Sequence, residues 1–379
     1  MRFVKSSLLL AALILGMLLG YFWNYLAVAK TGGGSINNGQ SPGVLPTEQF
    51  MISHMTNTNG SIKTNLKHQK SNDEGIALGE EALSESLGLW MMYAVEKDNK
   101  LLFEQSVEVL RTYFWQDDGW VAWKTGATPK SVHANALVDD LRIAEALFLA
   151  AERWKEPEYE DLARKIGNSL EEKQYRNGLF TDFYDRNAKW TSDVLTLSYL
   201  NAASMSMLQK LNSLDGKKVQ ENISFLENLP MQNNFFPFSY NLTEKQYRYH
   251  QEVNLIDQLY IVLHRAQAGT TSPEVWEFIK QEFTKNGLLY GRYDAITKKP
   301  AVAYESPSVY GLAIMSAIEL GDADFAKDLY YRMLRHQTRN PQSEWFGAYM
   351  DYSTMDTHSF DNLVALLAER KLYNEGLLR

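Results

Sequence analysis

Apolar residues recur along this chain at helical spacing, in stretches separated by short polar turns. Residues 76–96 carry Leu83, Leu87, Trp90, Met91 and Ala94 at intervals of three and four, which puts them on one helix face. Residues 101–114 read as a second, outer helix. Residues 135–153, with Ile143, Ala146, Leu147 and Ala150 on one face, read as the next inner helix, and 157–174 as its outer partner. The pattern predicts further pairs over 192–209 and 216–228, 249–267 and 273–285, and 307–319 and 322–337. A last helix is expected over about 357–371. Gly and Pro fall mainly outside these segments or near their ends, as helix boundaries require.

A turn signal followed by alternating aromatic and apolar residues returns six times. Its copies start at Asn59-Gly60, Asp118-Gly119, Asn177-Gly178, Asn233-Asn234, Asn286-Gly287 and, degenerate, Glu344-Trp345. The spacings are 59, 59, 56, 53 and 58 residues. Asn-Gly and Asp-Gly supply the positive φ angles of tight hairpins. Each interval has room for two helices. Six helix pairs joined by short β-like connections predict an all-α closed ring, an (α/α)6 toroid. No Pro/Ser/Gly-rich linker interrupts residues 70–379, so one large domain is expected over 57–379 rather than several.

The N-terminus has a different pattern. Arg2 and Lys5 precede a nearly continuous apolar stretch from Leu8 to Leu19, then Tyr21, Phe22, Trp23 and Tyr25, then Ala27-Val28-Ala29. Residues 1–29 read as a signal peptide or as an uncleaved membrane anchor. The 24 residues from Ser6 to Ala29 are long enough to span a bilayer. Either way the remainder is expected on the extracellular face of the membrane or secreted. Residues 30–56, rich in Gly, Ser, Asn and Pro, read as a flexible tether.

The net charge of −8 has no basic cluster beyond the N-terminus, which argues against nucleic acid as a partner and against a strongly anionic substrate. The 21 Tyr and 9 Trp supply core, and also flat rings of the kind that stack on sugar faces. There is no cysteine. Disulfides, thiolate nucleophiles, zinc–cysteine sites and a lipid-bearing cysteine are therefore excluded.

Acidic residues recur at similar offsets after the turns. Glu85 lies 25 residues after Gly60, Asp139 and Asp140 lie 20 and 21 after Gly119, Glu252 lies 18 after Asn234, and Glu305 lies 18 after Gly287. The third repeat has Ser198-Tyr199 at offsets 20 and 21 from Gly178. In a closed ring such positions share one end of the barrel, so carboxylates from distant repeats converge. Convergent carboxylates among aromatic rings suit glycosidic bond hydrolysis. One, kept protonated by burial and like charge, donates to the leaving oxygen, and another activates water or attacks the sugar.

Several segments resemble glycoside hydrolase family 8. Ser84-Glu85-Ser86-Leu87-Gly88-Leu89-Trp90-Met91 is similar to the family's Ser-Glu-Gly-x-Gly-Tyr-Gly-Met, whose Glu is the general acid. Asp118-Gly119-Trp120-Val121-Ala122-Trp123 resembles Asp-Gly-Leu-Phe-Ala-Trp. Ala136-Leu137-Val138-Asp139-Asp140-Leu141-Arg142-Ile143 resembles Ala-Thr-Asp-Ala-Asp-Leu-Asp-Ile. Ser198-Tyr199-Leu200 matches Ser-Tyr-Leu, and Tyr304-Glu305-Ser306-Pro307-Ser308-Val309 falls where the family has Tyr-Asp-Ala-Ile-Arg-Val, whose Asp is the base. The resemblance spans roughly residues 60–370. It implies an inverting hydrolase of β-1,4-linked polysaccharide, an exopolysaccharide or a glucan, with Glu85 as acid, Glu305 as base, and Asp140 with Asp139 binding the sugar at the scission point. Asp294, in Tyr293-Asp294-Ala295-Ile296, copies the base motif's letters and is the alternative base. Trp123, Tyr199 and Tyr304 are expected at sugar subsites. The family's first Asp falls on Val138 and its Arg on Ser308.

Two rivals remain: a non-hydrolytic polysaccharide-binding protein on the same toroid, or another (α/α)6 enzyme acting on anionic sugars. Arg142, Arg292 and His133 give the latter only a thin basic groove. No His/Asp cluster has metal-ligand spacing, so neither metal nor other cofactor is expected. The chain is expected to work as a monomer, with the membrane as a partner only if the N-terminal segment stays attached.

Overall fold

The computed structural model describes residues 43–378 apart from 70–72, 74 and 126–131. The expected signal or anchor over 1–29 lies outside the described residues. Among these, no helix is long and apolar enough to cross a membrane.

Twelve α-helices are described. In chain order they are α1 (Pro46–Phe50), α2 (Ser84–Glu96), α3 (Lys100–Val109), α4 (Leu137–Trp154), α5 (Pro157–Lys173), α6 (Ala202–Lys210), α7 (Gly216–Glu227), α8 (Leu255–Gln267), α9 (Pro273–Asn286), α10 (Pro307–Glu319), α11 (Ala323–Met333) and α12 (Ser359–Asn374). The even-numbered helices form an inner ring. Each packs on the next, and α12 packs back on α2, closing it. The ring explains the sequence pattern of each class. Inner α10 is buried continuously from Ser308 to Ala317, because neighbours surround it. Outer α5 buries only the face carrying Tyr159, Leu162, Ala163, Ile166 and Leu170. Two inner contacts need glycine: a Cβ at Gly88 of α2 would lie 3.2 Å from Ile143 of α4, and one at Gly311 of α10 would lie 2.9 Å from the Val364 carbonyl oxygen of α12.

The turn signals lie in the connections from outer to inner helix, so they mark one end of the barrel. Asn177-Gly178 joins β1 (Tyr175–Arg176) to β2 (Leu179–Phe180), with both turn residues at positive φ as a type I′ hairpin requires. Asn233 and Asn234, again both at positive φ, close the Gln232–Phe235 bridge. Gly287 instead caps the C-terminus of α9 in the left-handed conformation.

Several boundaries differ from the periodicity. Residues 76–83 are not helical; the helix starts at Ser84. Residues 194–196 form a strand that pairs with Ser239–Asn241, which pairs in turn with Gln246–Arg248. Glu252–Asn254 pairs with Arg292–Asp294. The periodicity assigns Val194–Thr196 and Glu252–Asn254 to helices because apolar content matches either period over a few residues, whereas their partner strands lie outside the expected helices. The expected tether over 30–56 is also too long. Pro46–Phe50 and the wider turn Met51–Met55 form the outer helix of the last pair, with Leu45, Phe50, Met51 and Met55 buried. Glu48 is fully buried there, accepting a hydrogen bond from the Tyr93 hydroxyl at 2.7 Å and pairing with Lys97.

Candidate active site

Four inner helices place a carboxylate in their first turn at the ring mouth. Glu85 is second in α2; Asp139, Asp257 and Asp361 are each third in α4, α8 and α12. The other two repeats contribute Tyr199, from the short turn Leu197–Tyr199 before α6, and Ser308 of α10. A cavity of about 1180 Å³ opens over this end, lined by Glu85, Tyr304, Glu305, His358 and Asp361 among others. A second, of about 390 Å³, is lined by Asp257, Phe238, Tyr249 and His250; Asn254 belongs to both.

Glu85 is held at the start of α2 by its neighbour Ser84. The Ser84 N–H donates to the Trp123 carbonyl at 3.0 Å, and the hydroxyl, 3.0 Å from the same carbonyl, shares its one proton with Asp139 at 2.7 Å. Burial pushes the Glu85 carboxyl up to about 7; the negative charges of Asp139 and Asp361 add to the rise, and Arg142 opposes it. It is therefore half protonated near neutrality. Asp139 is buried and raised by that burial, but a 2.9 Å ion pair with Arg142 and the Ser84 hydrogen bond hold its ionised form.

Asp257 lies three repeats from Glu85. In a ring of six, that places α2 and α8 on opposite sides of the axis. Burial raises the Asp257 carboxyl, and a hydrogen bond from the Ser198 hydroxyl at 3.2 Å opposes this. Its other oxygen accepts no hydrogen bond from the described residues. The hydroxyl of Tyr199, itself raised by burial, lies in the field of Asp182, Asp139, Glu85 and Asp257. Asp361 accepts from the hydroxyls of Ser306 and Ser308 at 2.8 and 2.6 Å.

Sequence reasoning overlooked Asp257 and Asp361. Counting from the turns picked Glu252 instead, which lies in the strand before α8, exposed and 3.9 Å from Arg292. The hairpins differ in length, so a fixed offset drifts. Counting from the helix start, with Asn254 capping Ile256 N–H at 3.1 Å, reaches Asp257 directly.

Glu305 lines the large cavity but turns to the outer layer. Against the upward push of burial, His336 Nε2 at 3.4 Å and hydrogen bonds from Arg332 and Tyr310 hold its carboxyl at about 2. Such a carboxylate binds protons weakly. Asp294 is occupied in its own turn, accepting from the N–H groups of Ile296 and Thr297 at 3.1 and 2.7 Å. Asp140 is buried, accepts from Asn135 at 2.6 Å, and lines neither cavity. Trp123 packs on the Trp120, Ala122 and Val132 cluster and serves α2 through its carbonyl. Tyr304, 52% exposed, lies over Gly291 on the cavity wall. His358 caps α12 through Nδ1, His250 stacks on Phe238 at 4.3 Å, and His133 supplies a backbone carbonyl to Arg186. Among the described residues, no three His, Asp or Glu side chains form a group that could hold a metal ion.

No family model matches the chain. Its structure is similar to that of a novel alpha-amylase from Clostridium perfringens, with a TM-score of 0.77 and 26% identity over 86% of this chain and 96% of that one. PssZ from Listeria monocytogenes superposes with a TM-score of 0.70 and 26% identity, over 89% and 98%. Endoglucanase Cel10 from Klebsiella pneumoniae, a family 8 glycosyl hydrolase, shares the fold at a TM-score of 0.60 and 15% identity, over 87% and 99%. The chain shares its (α/α)6 barrel fold with these enzymes, the family 8 glycosyl hydrolase among them, and gathers carboxylates at one end of that barrel. The chain is also 38% identical over 380 residues to "Putative lipoprotein YdaJ" of Bacillus subtilis (strain 168), covering 100% of both, and it belongs to the same family as that protein.

Proposed function

We propose that the protein is an exported, endo-acting glycoside hydrolase that cleaves a β-1,4-linked polysaccharide with inversion, Glu85 serving as general acid and Asp257 as general base. The observation that carries this reading is a partly buried carboxyl in the first turn of each of two inner helices on opposite sides of the ring. Glu85 retains a proton near pH 7, whereas Asp257 keeps an unoccupied oxygen and a raised proton affinity. Asp257 removes a proton from water, whose oxygen attacks the anomeric carbon. The bond from that carbon to the bridging oxygen breaks, and its electron pair takes the Glu85 proton. Exchange with solvent resets both groups. Inversion requires the carboxyls about 6.5–9.5 Å apart with the water between them, which suits opposite rather than adjacent helices.

Asp257 replaces Glu305 and Asp294 as the proposed base, because hydrogen bonds stabilise the ionised forms of both of those and lower their proton affinity. Asp139, rather than Asp140, is the proposed sugar-binding partner of Glu85. Tyr199 and Tyr304 are the proposed subsite rings; Trp123 is left to the fold. The mouth carries Glu85, Asp351, Asp356 and Asp361 against Arg292, which favours neutral or cationic glycans over uronates.

The alpha-amylase likeness supports a second reading, an α-linked glucan as substrate. Proton NMR of the first product decides between them. A β-linked panel of glucan, xylan, chitosan and native exopolysaccharide is run beside amylose. The proposal expects the α anomer to appear first from a β-linked substrate. Turnover of amylose alone, or a β anomer first from a β-linked glycan, would reject it.

YdaJ's description as a lipoprotein supports a place on the outer face of the membrane. This chain has no cysteine to carry a lipid, so the apolar stretch within residues 6–29 is the proposed anchor.

A further inference from the structure

Below Glu85, the barrel interior holds a guanidinium that the hydrolytic steps above do not use. Arg142 is buried; its Nη1 donates to Asp139 at 2.9 Å and its Nη2 to the Tyr260 hydroxyl at 3.4 Å. Gly88, one turn after Glu85, makes room for it: a Cβ there would come within 3.3 Å of Arg142 Cδ. The chain reads Asp140-Leu141-Arg142 where the family-like pattern reads Asp-Leu-Asp, so this cation belongs to this chain rather than to that pattern.

Two neighbouring carboxyls, Glu85 and Asp139, compete for one proton. Every donor seen at the pair serves Asp139. Arg142 bonds to it, the Ser84 hydroxyl bonds to it at 2.7 Å, and the Glu85 backbone N–H points to it. The Glu85 carboxyl accepts no hydrogen bond from the described residues. We propose that Arg142 is a positioning residue that holds Asp139 ionised and so keeps the shared proton on Glu85, the member of the pair that faces the cleft. This rests on the reading of Glu85 as the acid.

The other groups facing the pair do not supply a competing charge switch. From α8, burial holds His264 neutral at about 3, with Arg142 adding to the effect, and raises Tyr260 to about 12. Tyr199, from the turn before α6, is raised by burial and stays neutral. From α12, Asp361 is a fixed acceptor for Ser306 and Ser308. The buried pair therefore titrates as a unit, with its apparent values set by the local charges.

The test is the pH profile of kcat/KM in three variants of the full chain, each checked for wild-type melting. Arg142→Met is expected to lose at least about tenfold at the wild-type optimum and to move the alkaline limb to higher pH, because without the cation Glu85 and Asp139 both ionise less readily. Adding Asp139→Asn to Arg142→Met should recover part of that loss, since Glu85 then has no competitor for its proton. Asp139→Asn alone leaves Arg142 unbalanced beside Glu85 and should move the alkaline limb to lower pH. An unmoved alkaline limb in a folded Arg142→Met, or a double variant no more active than the single, would overturn the proposal. If Arg142→Met does not fold, an unmoved alkaline limb in Asp139→Asn overturns it alone. Full activity of Glu85→Gln would instead remove the acid assignment on which it rests.

Discussion

Glu85 and Glu305 are both glutamates at the rim of one cavity, yet their surroundings drive them apart. Glu85 is raised to about 7 by burial beside Asp139, whereas Glu305 is held at about 2 by His336, Arg332 and Tyr310. A general acid needs the first environment. The wild-type kcat/KM should fall as pH rises through about 7, where Glu85 loses its proton. It should also fall on the acid side, where Asp257 gains one. Substituting the two candidate bases separates their roles. Asp257→Asn should lower kcat by about 10²–10⁴-fold, the range for a lost general base. Glu305→Gln should keep kcat within about tenfold but melt earlier, since it breaks the tie to Arg332. Its folded-state pKa is depressed, so its stabilising contribution is present above the unfolded value, near 4.3, and fades as pH falls toward 2. The reverse ranking of the two variants in kcat would restore Glu305 as base. Sequence letters pointed to Glu305 and Asp294 because both sit in motif-like contexts. The letters carry no record of Arg332 and His336, which reach Glu305 from the neighbouring outer layer.

At the scale of elements, the long helices were legible because a single apolar face persists over three or more turns, as in α4 and α8. What escaped were short elements whose identity depends on partners. Val194–Thr196 is a strand only because Ser239–Asn241 lies beside it. The helix α1 was read as tether because its flanks are rich in Gly, Ser and Pro, and its significance lies in contacts 300 residues away, such as the Thr47 hydroxyl on the Gly347 carbonyl at 2.8 Å. Its Glu48 joins Tyr93 and Lys97 in one buried network with Arg370. Removing one partner of a buried charge pair costs about 3–5 kcal/mol. Glu48→Ala should therefore lower the melting temperature by several degrees in calorimetry while leaving the KM of the folded enzyme unchanged. A melting point equal to wild type would mean that α1 is not part of the cooperative ring.

Over the whole molecule, the six turns index one end of the barrel, and the first described helix, Pro46–Phe50, starts towards the other. Lys97, which Glu48 grips, lies 12 residues beyond Glu85 along α2, about 18 Å at 1.5 Å per residue. The chain thus joins the ring at the level far from the cleft. Because the chain has no cysteine, Tyr352→Cys, at an exposed position on the cavity wall, supplies a unique reporter. It should react with an impermeant maleimide on intact cells; labelling only after lysis would contradict export. The central claim is that carboxylates brought together from separate repeats cleave a glycosidic bond with Glu85 as acid. Its most direct test is reducing-end release by Glu85→Gln on whichever polysaccharide the wild type degrades. A loss of about 10²–10⁴-fold with wild-type melting is expected, and undiminished release by the folded variant would contradict that role for Glu85.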